Sequence, residues 1–405
     1  MKIAKSVNRL GTEAVYNIFA KTKKLAQQGK KIIDLSLGQS DFKSPKHAVD
    51  ATIRALKDGH HGYTLPNGVI ECREAVSRKI KSLYNANISP ERIVIMPGGK
   101  PTMHYAISFF GEPSAEIIYP DPGFPIYESM INYTGAKAVP FNLAENKDFS
   151  INPDKILSLI NENTRLLILN NPNNPTGSFT EKTVIDKLAK GLINFPHVTI
   201  LSDEIYDRLI FDKKEIPTLF NYPDLYDRLI VLNGWSKTYA MTGWRLGWGV
   251  WPEQLIEHVF KFCVNNHSCV NTAAQYGAIA ALDGPEDHLH DMMGEFTIRR
   301  KLIVDGLRSL KGVGCSVPGG SFFVFPSVKG TGMNGEEFTN NCLQEAGVAI
   351  IAGTAFGKFA TANVRFNFAT SRENISKAIE KIDKILKKIV FPFLTTKLLG
   401  CNIFL

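Results

Sequence analysis

The feature that most constrains the fold of this chain is its alternation of short apolar runs with helical patterns, at intervals of thirty-odd residues. Such alternation is typical of a mainly parallel α/β sheet, in which a helix connects one strand to the next. The strand candidates are residues 92–96, 116–119, 165–169, 198–201 and 229–232, with a helical pattern over 180–193 as one example of a connection. Ligands of open parallel sheets bind beyond the carboxyl ends of the strands, so we expect the chemistry of this protein there.

Polar motifs follow three of these predicted strands. The sequence reads NNPNNPTG over 170–177, SDEIY over 202–206 and NGWSK over 233–237. Neighbouring strand ends would therefore bring together an amide, a carboxylate, a phenol and an amine. Each motif alone has an ordinary explanation as a turn or a helix cap. Their appearance in order at successive strand ends favours one shared site.

The residues after the first predicted strand indicate an anion site. Gly98 and Gly99 allow backbone N–H groups to approach an anion, and Pro101 suits the first turn of a helix, whose N-terminus favours a phosphate. Arg245 could bind the same phosphate through two N–H groups. A second glycine-rich run, residues 330–335, matches Gly-x-Gly-x-x-Gly but lacks the tight strand-to-helix turn and the acidic residue of a dinucleotide site, so we interpret it as a loop.

Composition narrows the class of protein. A chain of 405 residues with 44% hydrophobic and 21% charged residues can bury a large core. Its 47 Lys and Arg exceed its 39 Asp and Glu, an excess that fits anionic ligands as readily as nucleic acid. We see no helix-turn-helix or added basic arm and no apolar run of the roughly 18 residues that span a bilayer, so we expect neither a nucleic-acid nor a membrane partner.

The six cysteines form no Cys-x-x-Cys pair and are too sparse for a disulfide framework. A reducing compartment, the cytoplasm, is therefore expected. Cys263, His267 and Cys269 could be mistaken for metal ligands, but no second pair lies nearby to complete four ligands. We interpret them as buried thiols and a loop histidine, and predict no metal site.

Several motifs together resemble the class I aminotransferases, which use pyridoxal phosphate, and in particular the bacterial aspartate aminotransferase branch. The resemblance runs in colinear order from about residue 7 to residue 386. It is carried by LGQSDF (37–42), YT (63–64) with Gly68, GGK (98–100), NPNNPTG (171–177), DEIY (203–206), SK (236–237), MTGWRLG (241–247) and VRF (364–366).

The resemblance implies a fold-type I architecture and a homodimer with active sites at the subunit interface. A large domain, residues 43–289, would carry the mainly parallel sheet flanked by helices and bind the cofactor. A smaller α/β domain would combine residues 1–42 with 290–390. The apolar segment 391–405 remains without a role, and we expect it to dock on the protein's own surface or on a partner.

Roles for individual residues also follow from the resemblance. Lys237 would be the Schiff-base lysine and the acid and base of the reaction, Asp203 would pair with the pyridine nitrogen, and Tyr206 with Asn174 would hydrogen-bond the phenolic oxygen. Phe124 falls where the family stacks a ring on the cofactor. The remaining predicted contacts are with the phosphate (Gly98, Gly99, Lys100, Ser236, Arg245, and Tyr63 of the neighbouring subunit) and with the substrate (Gly38, Lys100, Phe124, Asn174 and Arg365).

Two of these roles have alternatives, and one position departs from the family. Arg365 would clamp the substrate α-carboxylate, or else form an ordinary ion pair at a strand edge. Lys100 could meet a distal carboxylate of the substrate, or else face solvent in a first helical turn. Gly234 stands where many relatives carry a phosphate-binding serine, and Ser236 could replace that hydroxyl.

The resemblance implies amino-group transfer from an L-amino acid to a 2-oxo acid, with aspartate or glutamate and 2-oxoglutarate as the leading pair. Glu13 aligns near the distal end of the substrate, where its charge would oppose an acidic substrate unless Lys100 pairs with it. A lyase, cyclase or oxidase on the same fold and cofactor is the alternative. A cofactor-binding regulator is a further alternative.

Overall fold

The computed structural model describes residues 1–12, 14–212 and 217–398. Glu13 and the end of the apolar segment, residues 399–405, lie outside this part, so the predictions made for them are not addressed. The strands of the described part are β1 (Ile33–Asp34), β2 (Ile93–Met96), β3 (Glu116–Asp121), β4 (Lys137–Asn142), β5 (Thr164–Asn170), β6 (Thr199–Asp203), β7 (Leu229–Gly234), β8 (Gly247–Val250), β9 (Phe323–Val324), β10 (Val348–Ala349), β11 (Ile351–Ala352) and β12 (Val364–Asn367).

The helices connect these strands and cover them. Within the described residues they are α1 (Ala14–Gln27), α2 (Lys46–Lys57), α3 (Ile70–Tyr84), α4 (Lys100–Phe110), α5 (Ile126–Thr134), α6 (Pro153–Leu159), α7 (Lys182–Leu192), α8 (Ile256–Asn266), α9 (Thr272–Asp283), α10 (Asp287–Ser309), α11 (Gly335–Asn341) and α12 (Arg372–Leu398). None of the helices described combines the length and the apolar character needed to cross a bilayer.

The main sheet has the order β2-β8-β7-β6-β5-β3-β4 across the described chain. Strands β4, β3, β5, β6 and β7 pair in parallel, whereas β8 runs antiparallel to both of its neighbours, β2 and β7. The carboxyl ends of the parallel strands and of β2 therefore share one edge with the beginning of β8. This edge is where side chains that follow the strands converge.

Alternate residues of the central strands face two layers of helices. On β6, Ile200 packs in a core with α3, α7 and α9, while Leu201 packs in a second core with α4, α5 and α8. Helix α7 shows why such a layer forms, because Ile185, Leu188 and Leu192 recur at helical spacing and are all buried. The result is a three-layer α/β/α arrangement, which confirms the predicted fold class.

A separate core lies under two small sheets, in which β1 pairs with β10 and β12 lies between β11 and β9. It joins residues from both ends of the chain, including Leu35, Phe296, Phe322, Phe366 and Ile382. The proposed boundaries of a small domain stay a prediction. The backbone of α10 runs through the predicted boundary at 290, and that of α12 continues past 390 to Leu398.

The five predicted strands of the main sheet correspond to β2, β3, β5, β6 and β7, with ends that differ by one or two residues. Sequence patterns missed β4 and β8. Strand β4 contains Lys137 and Pro140, which are atypical of a strand pattern, and β8 reads GWGV with two glycines. Gly247 is needed there because a Cβ would lie 2.4 Å from the backbone carbonyl carbon of Gly98.

Candidate active site

A cavity of about 580 Å³ opens at the carboxyl edge of the main sheet and extends to the small sheet of β11, β12 and β9. Eleven of the thirteen predicted site residues line it: Gly38, Gly99, Lys100, Phe124, Asn174, Asp203, Tyr206, Ser236, Lys237, Arg245 and Arg365. Gly98 adjoins the cavity through its contact with Arg245. Tyr63 is 92% exposed and does not line the cavity of its own chain.

Asp203 is the last residue of β6 and is buried at the floor of this cavity. Its Oδ2 accepts a hydrogen bond from the Tyr127 hydroxyl at 2.6 Å, and its Oδ1 accepts one from the backbone N–H of Ile205 at 3.3 Å. Burial raises the pKa of Asp203 to about 6, although these hydrogen bonds and the charge of Lys237 act in the opposite direction. A cation placed against this carboxylate would offset the cost of its burial.

Lys237 follows the end of β7 by three residues and crosses the cavity. Its Nζ donates to the backbone carbonyl of Gly38 at 2.6 Å. The same atom lies 5.9 Å from the centroid of the Tyr206 ring, and that ring is buried. The amine therefore lies between the main sheet and the segment that follows β1.

The turn between β2 and α4 forms a cradle beside Arg245. Gly98 has φ +91°, and a Cβ on it would lie 2.3 Å from Nη2 of Arg245. Gly99 is the N-cap of α4, so backbone N–H groups and a guanidinium meet at the start of a helix. This arrangement favours an anion such as a phosphate.

Gly234 departs from the family pattern for a steric reason. A Cβ at this position would lie 2.7 Å from the Cα of Gly247 on the adjacent strand β8. This backbone therefore has no room for a serine at 234. Ser236 is the hydroxyl that lines the cavity here.

Arg365 lies on β12, in the small sheet with β9 and β11, and its side chain lines the cavity. Its guanidinium donates to Oδ1 of Asn174 at 2.9 Å and to the carbonyl of Ser36 at 2.6 Å. The rings of Phe323 and Phe356 have centroids 4.3 Å and 4.6 Å from its Cζ. These contacts with an amide, a carbonyl and two rings place the guanidinium in the cavity wall.

Lys100, the first residue of α4, also points along the cavity wall, with its Nζ 5.5 Å from the centroid of the Phe124 ring. Two cationic side chains, Lys100 and Arg365, therefore line a space that also contains Lys237. The predicted counterpart of Lys100, Glu13, lies outside the described residues.

Sequence reasoning missed three residues that shape the site, namely Tyr127, Phe323 and Phe356. Tyr127 had a signal, because it follows the predicted site residue Phe124 by three positions, and the two rings pack edge to face with centroids 5.8 Å apart. Phe323 and Phe356 had none. They reach the cavity only through the pairing of β9, β11 and β12.

The metal interpretation of Cys263, His267 and Cys269 finds no geometric support. Cys263 is buried in the core under α8, and Nδ1 of His267 lies 3.2 Å from the Tyr105 hydroxyl. Across the residues described, no three His, Cys, Asp or Glu side chains converge in a way that could hold a metal ion.

The residues present fit pyridoxal phosphate. The cofactor requires a primary amine for its aldehyde, a buried carboxylate for its ring nitrogen and an anion cradle for its phosphate. Lys237, Asp203 and the Gly98–Arg245 contact supply these three groups in one cavity. The raised pKa of Asp203 shows that this carboxylate lacks full compensation from the protein.

Comparisons with known proteins identify relatives of this chain. Residues 30–382 match the family described as aminotransferase class I and II. A probable aspartate aminotransferase of Methanocaldococcus jannaschii is 36% identical over 84% of this chain and 89% of its own length. For the aspartate aminotransferase of Bacillus subtilis, the identity is 33% over 92% and 95%.

A crystal structure of an aspartate aminotransferase from Rhizobium meliloti superposes with a TM-score of 0.91 and 28% identity, covering 96% of this chain and 99% of that one. The predicted family resemblance is thereby confirmed. The chain belongs to the class I and II aminotransferase family and is a pyridoxal-phosphate-dependent enzyme of the aspartate aminotransferase type.

Proposed function

We propose that the cavity transfers the amino group of aspartate or glutamate to a 2-oxo acid such as 2-oxoglutarate, with Lys237 as the reactive amine. The observation that carries this proposal is the convergence of Lys237, Asp203 and Arg365 on one cavity from β7, β6 and β12. These groups are an amine for the cofactor, a carboxylate for its ring and a guanidinium for a substrate carboxylate.

When bound, pyridoxal phosphate supplies the carbonyl that accepts the amino group and a ring that delocalises the electrons left at the substrate Cα. Lys237 Nζ takes the proton from that Cα and returns a proton to the Cα of the new amino acid in the second half of the cycle. Asp203 holds its negative charge against the ring nitrogen and keeps that nitrogen protonated. Tyr206 and Asn174 hydrogen-bond the phenolic oxygen.

The other residues bind and orient the cofactor and the substrate. Gly98, Gly99, Ser236 and Arg245 hold the phosphate, and Phe124 covers the ring. Arg365 binds the substrate α-carboxylate through its planar fork, because its fixed contacts with Asn174 and Ser36 hold the guanidinium in one orientation. Gly38 completes this pocket. Its carbonyl accepts a hydrogen bond from Lys237, which holds the segment after β1 at the cavity.

The acidic substrate is supported by Lys100. It adds a cation to a cavity that Lys237, Arg245 and Arg365 also line. The two curated relatives and the solved structure named above carry aspartate in their names. A neutral or basic amino acid is the outcome that would contradict this part of the proposal.

A homodimer is part of the proposal. Large side chains are exposed on α2 and in the loop before α3: Ile53 is 46% exposed, Leu56 48%, Leu65 60% and Tyr63 92%. Exposure of several large side chains within one stretch of the chain, residues 53–65, favours a protein interface there. Tyr63 would extend from it to the phosphate in the neighbouring subunit.

A reducing, cytoplasmic location is also proposed, because the five cysteines that the structure describes form no disulfide.

Borohydride trapping tests the role of Lys237. We expect Lys237→Ala to lose covalent trapping of the cofactor and all turnover, while the folded protein still binds pyridoxal phosphate non-covalently. Lys100→Ala is the matched control, since it removes the other lysine of the cavity and should trap fully. Trapping at full yield in Lys237→Ala would show that the wrong lysine was chosen.

A half-reaction tests the type of chemistry. Adding an amino donor should replace the absorbance of the aldehyde form of the cofactor by that of its amine form, and a 2-oxo acid should restore it. Release of ammonia, pyruvate or peroxide without this exchange would indicate a lyase or an oxidase instead.

A further inference from the structure

A buried carboxylate at the end of β3 holds the loop that connects β11 to β12. Asp121 is 1% exposed. Its Oδ2 accepts a hydrogen bond from the backbone N–H of Lys358 at 3.1 Å, and its Oδ1 accepts one from Phe359 at 3.4 Å. The backbone N–H of Gly123 donates to the carbonyl of Phe356 at 2.8 Å, so the two segments are joined in both directions.

The path of this loop depends on a glycine beside the carboxylate. Gly357 has φ +148°, and a Cβ on it would lie 1.8 Å from Oδ1 of Asp121. Any side chain at 357 would therefore push the loop and the carboxylate apart. Because a buried carboxylate is costly without donors, the loop and Asp121 stabilise each other.

The same loop reaches the active site. Ala355 and Phe356 line the cavity, whereas Asp121 does not. The Phe356 ring lies 4.6 Å from Cζ of Arg365 and is 6% exposed. A ring held against a guanidinium restricts the orientation of the guanidinium and stabilises its positive charge.

We propose that Asp121 is a positioning residue for substrate binding, which acts by holding the 353–359 loop so that Phe356 stays against Arg365. Asp121 thereby sets the affinity of the cavity for the α-carboxylate of the substrate. The inference rests on the proposed role of Arg365. It adds a residue outside the cavity to the determinants of that affinity.

Binding of succinate, a dicarboxylate without an amino group, tests the inference. We would measure its Kd on the holoenzyme by calorimetry. In Asp121→Asn an amide N–H₂ replaces one carboxylate oxygen and faces a backbone N–H of the loop, so one hydrogen bond that holds the loop is lost. Because Phe356 then no longer stays against Arg365, succinate should bind about tenfold more weakly. The KM of the amino donor should rise by a similar factor, with a smaller change in kcat.

The control is Glu128→Gln. Glu128 lies near Asp121, and its charge contributes to the raised pKa of the Asp121 carboxyl, but no hydrogen bond from the loop to it is seen in the described structure. This variant should bind succinate within about twofold of the wild type, since it removes a neighbouring charge and leaves the loop attached. A loss equal to that of Asp121→Asn would show that the effect does not depend on attachment of the loop to Asp121 and would overturn the inference.

Arg365→Lys separates this inference from the proposed function. If Arg365→Lys weakens succinate binding and Asp121→Asn does not, the inference is wrong and the role of Arg365 stands. If Arg365→Lys binds succinate like the wild type, the proposed role of Arg365 fails and the inference falls with it. Should Asp121→Asn fail to fold, Gly357→Ala decides, because displacing the loop should reproduce the tenfold loss and faster hydrogen exchange over 353–359.

Discussion

At the residue scale, the charge of Asp203 should be visible in the stability of the apoprotein. Burial raises the pKa of this carboxyl from 3.8 to about 6, so the folded state binds its proton more tightly than the unfolded state. The favourable contribution of that proton is complete below about pH 4 and is lost as the pH rises through 6. Asp203→Asn should remove this dependence, and its unfolding free energy relative to the wild type should rise by about 2 kcal/mol between pH 4 and 6.

Urea unfolding of both apoproteins across this range is the measurement. The difference between variant and wild type matters, because burial also raises the pKa of Glu204 to about 7 and that dependence is present in both proteins. Turnover of the Asp203→Asn holoenzyme should fall at least about a hundredfold, since a neutral amide cannot keep the ring nitrogen protonated. A pH-independent stability difference would contradict the assignment of the raised pKa to Asp203.

Lys100 should determine which amino donor is used. If its Nζ binds a distal carboxylate, Lys100→Ala should lose about 1 to 3 kcal/mol of transition-state binding with aspartate and little with alanine. The values of kcat/KM for a panel of amino donors against 2-oxoglutarate give this comparison directly. Equal losses for aspartate and alanine would place Lys100 outside the substrate pocket.

At the scale of elements, the turn between β2 and α4 should control cofactor affinity. Gly98→Ala places a Cβ at φ +91° and 2.3 Å from Nη2 of Arg245, so the guanidinium must move away from the cradle. We expect the Kd of pyridoxal phosphate to rise about tenfold or more. Gly243→Ala is the control, because its Cβ would meet nothing within 4 Å although it lies two residues before Arg245. Equilibrium dialysis of the two apoproteins should separate them, and equal affinities would argue against a phosphate cradle at Gly98.

The elements also show how far a sequence could predict this site. Residues at or shortly after the ends of parallel strands, such as Asp203 at the end of β6 and Lys237 three residues after β7, were predictable because the apolar runs place the strand ends and strand ends share an edge. The position of Arg245 at that edge depends on β8 running antiparallel, and two glycines conceal this strand in the sequence. Arg365 and its ring neighbours depend on the pairing of β9, β11 and β12, which are two to four residues long and carry little pattern. Family motifs, rather than periodicity, identified Arg365.

At the scale of the whole molecule, the cavity lies between the main sheet and a core built from both ends of the chain. Lys237 donates to Gly38, and Arg365 donates to Asn174, so two hydrogen bonds join the two parts across the site. No local pattern predicts this closure, because its partners are separated by up to 199 positions in the chain. Tyr63 is 92% exposed and does not line the cavity of its own chain, so the proposed homodimer would place it at the cavity of a second copy.

Mixed dimers test whether Tyr63 serves the active site of the neighbouring subunit. A Tyr63→Phe chain keeps Lys237, and a Lys237→Ala chain keeps Tyr63, so a hybrid should contain one site with both residues and one with neither. Random reassociation of equal amounts makes about half of the dimers hybrid, which predicts about a quarter of the wild-type number of intact sites. Activity should therefore recover to about a quarter of the wild-type value above the residual activity of the Tyr63→Phe parent. Each parent taken alone through the same dissociation and mixing is the control. If mixing gives no more than the average of the parents while hybrids are shown to form, Tyr63 serves no neighbouring site.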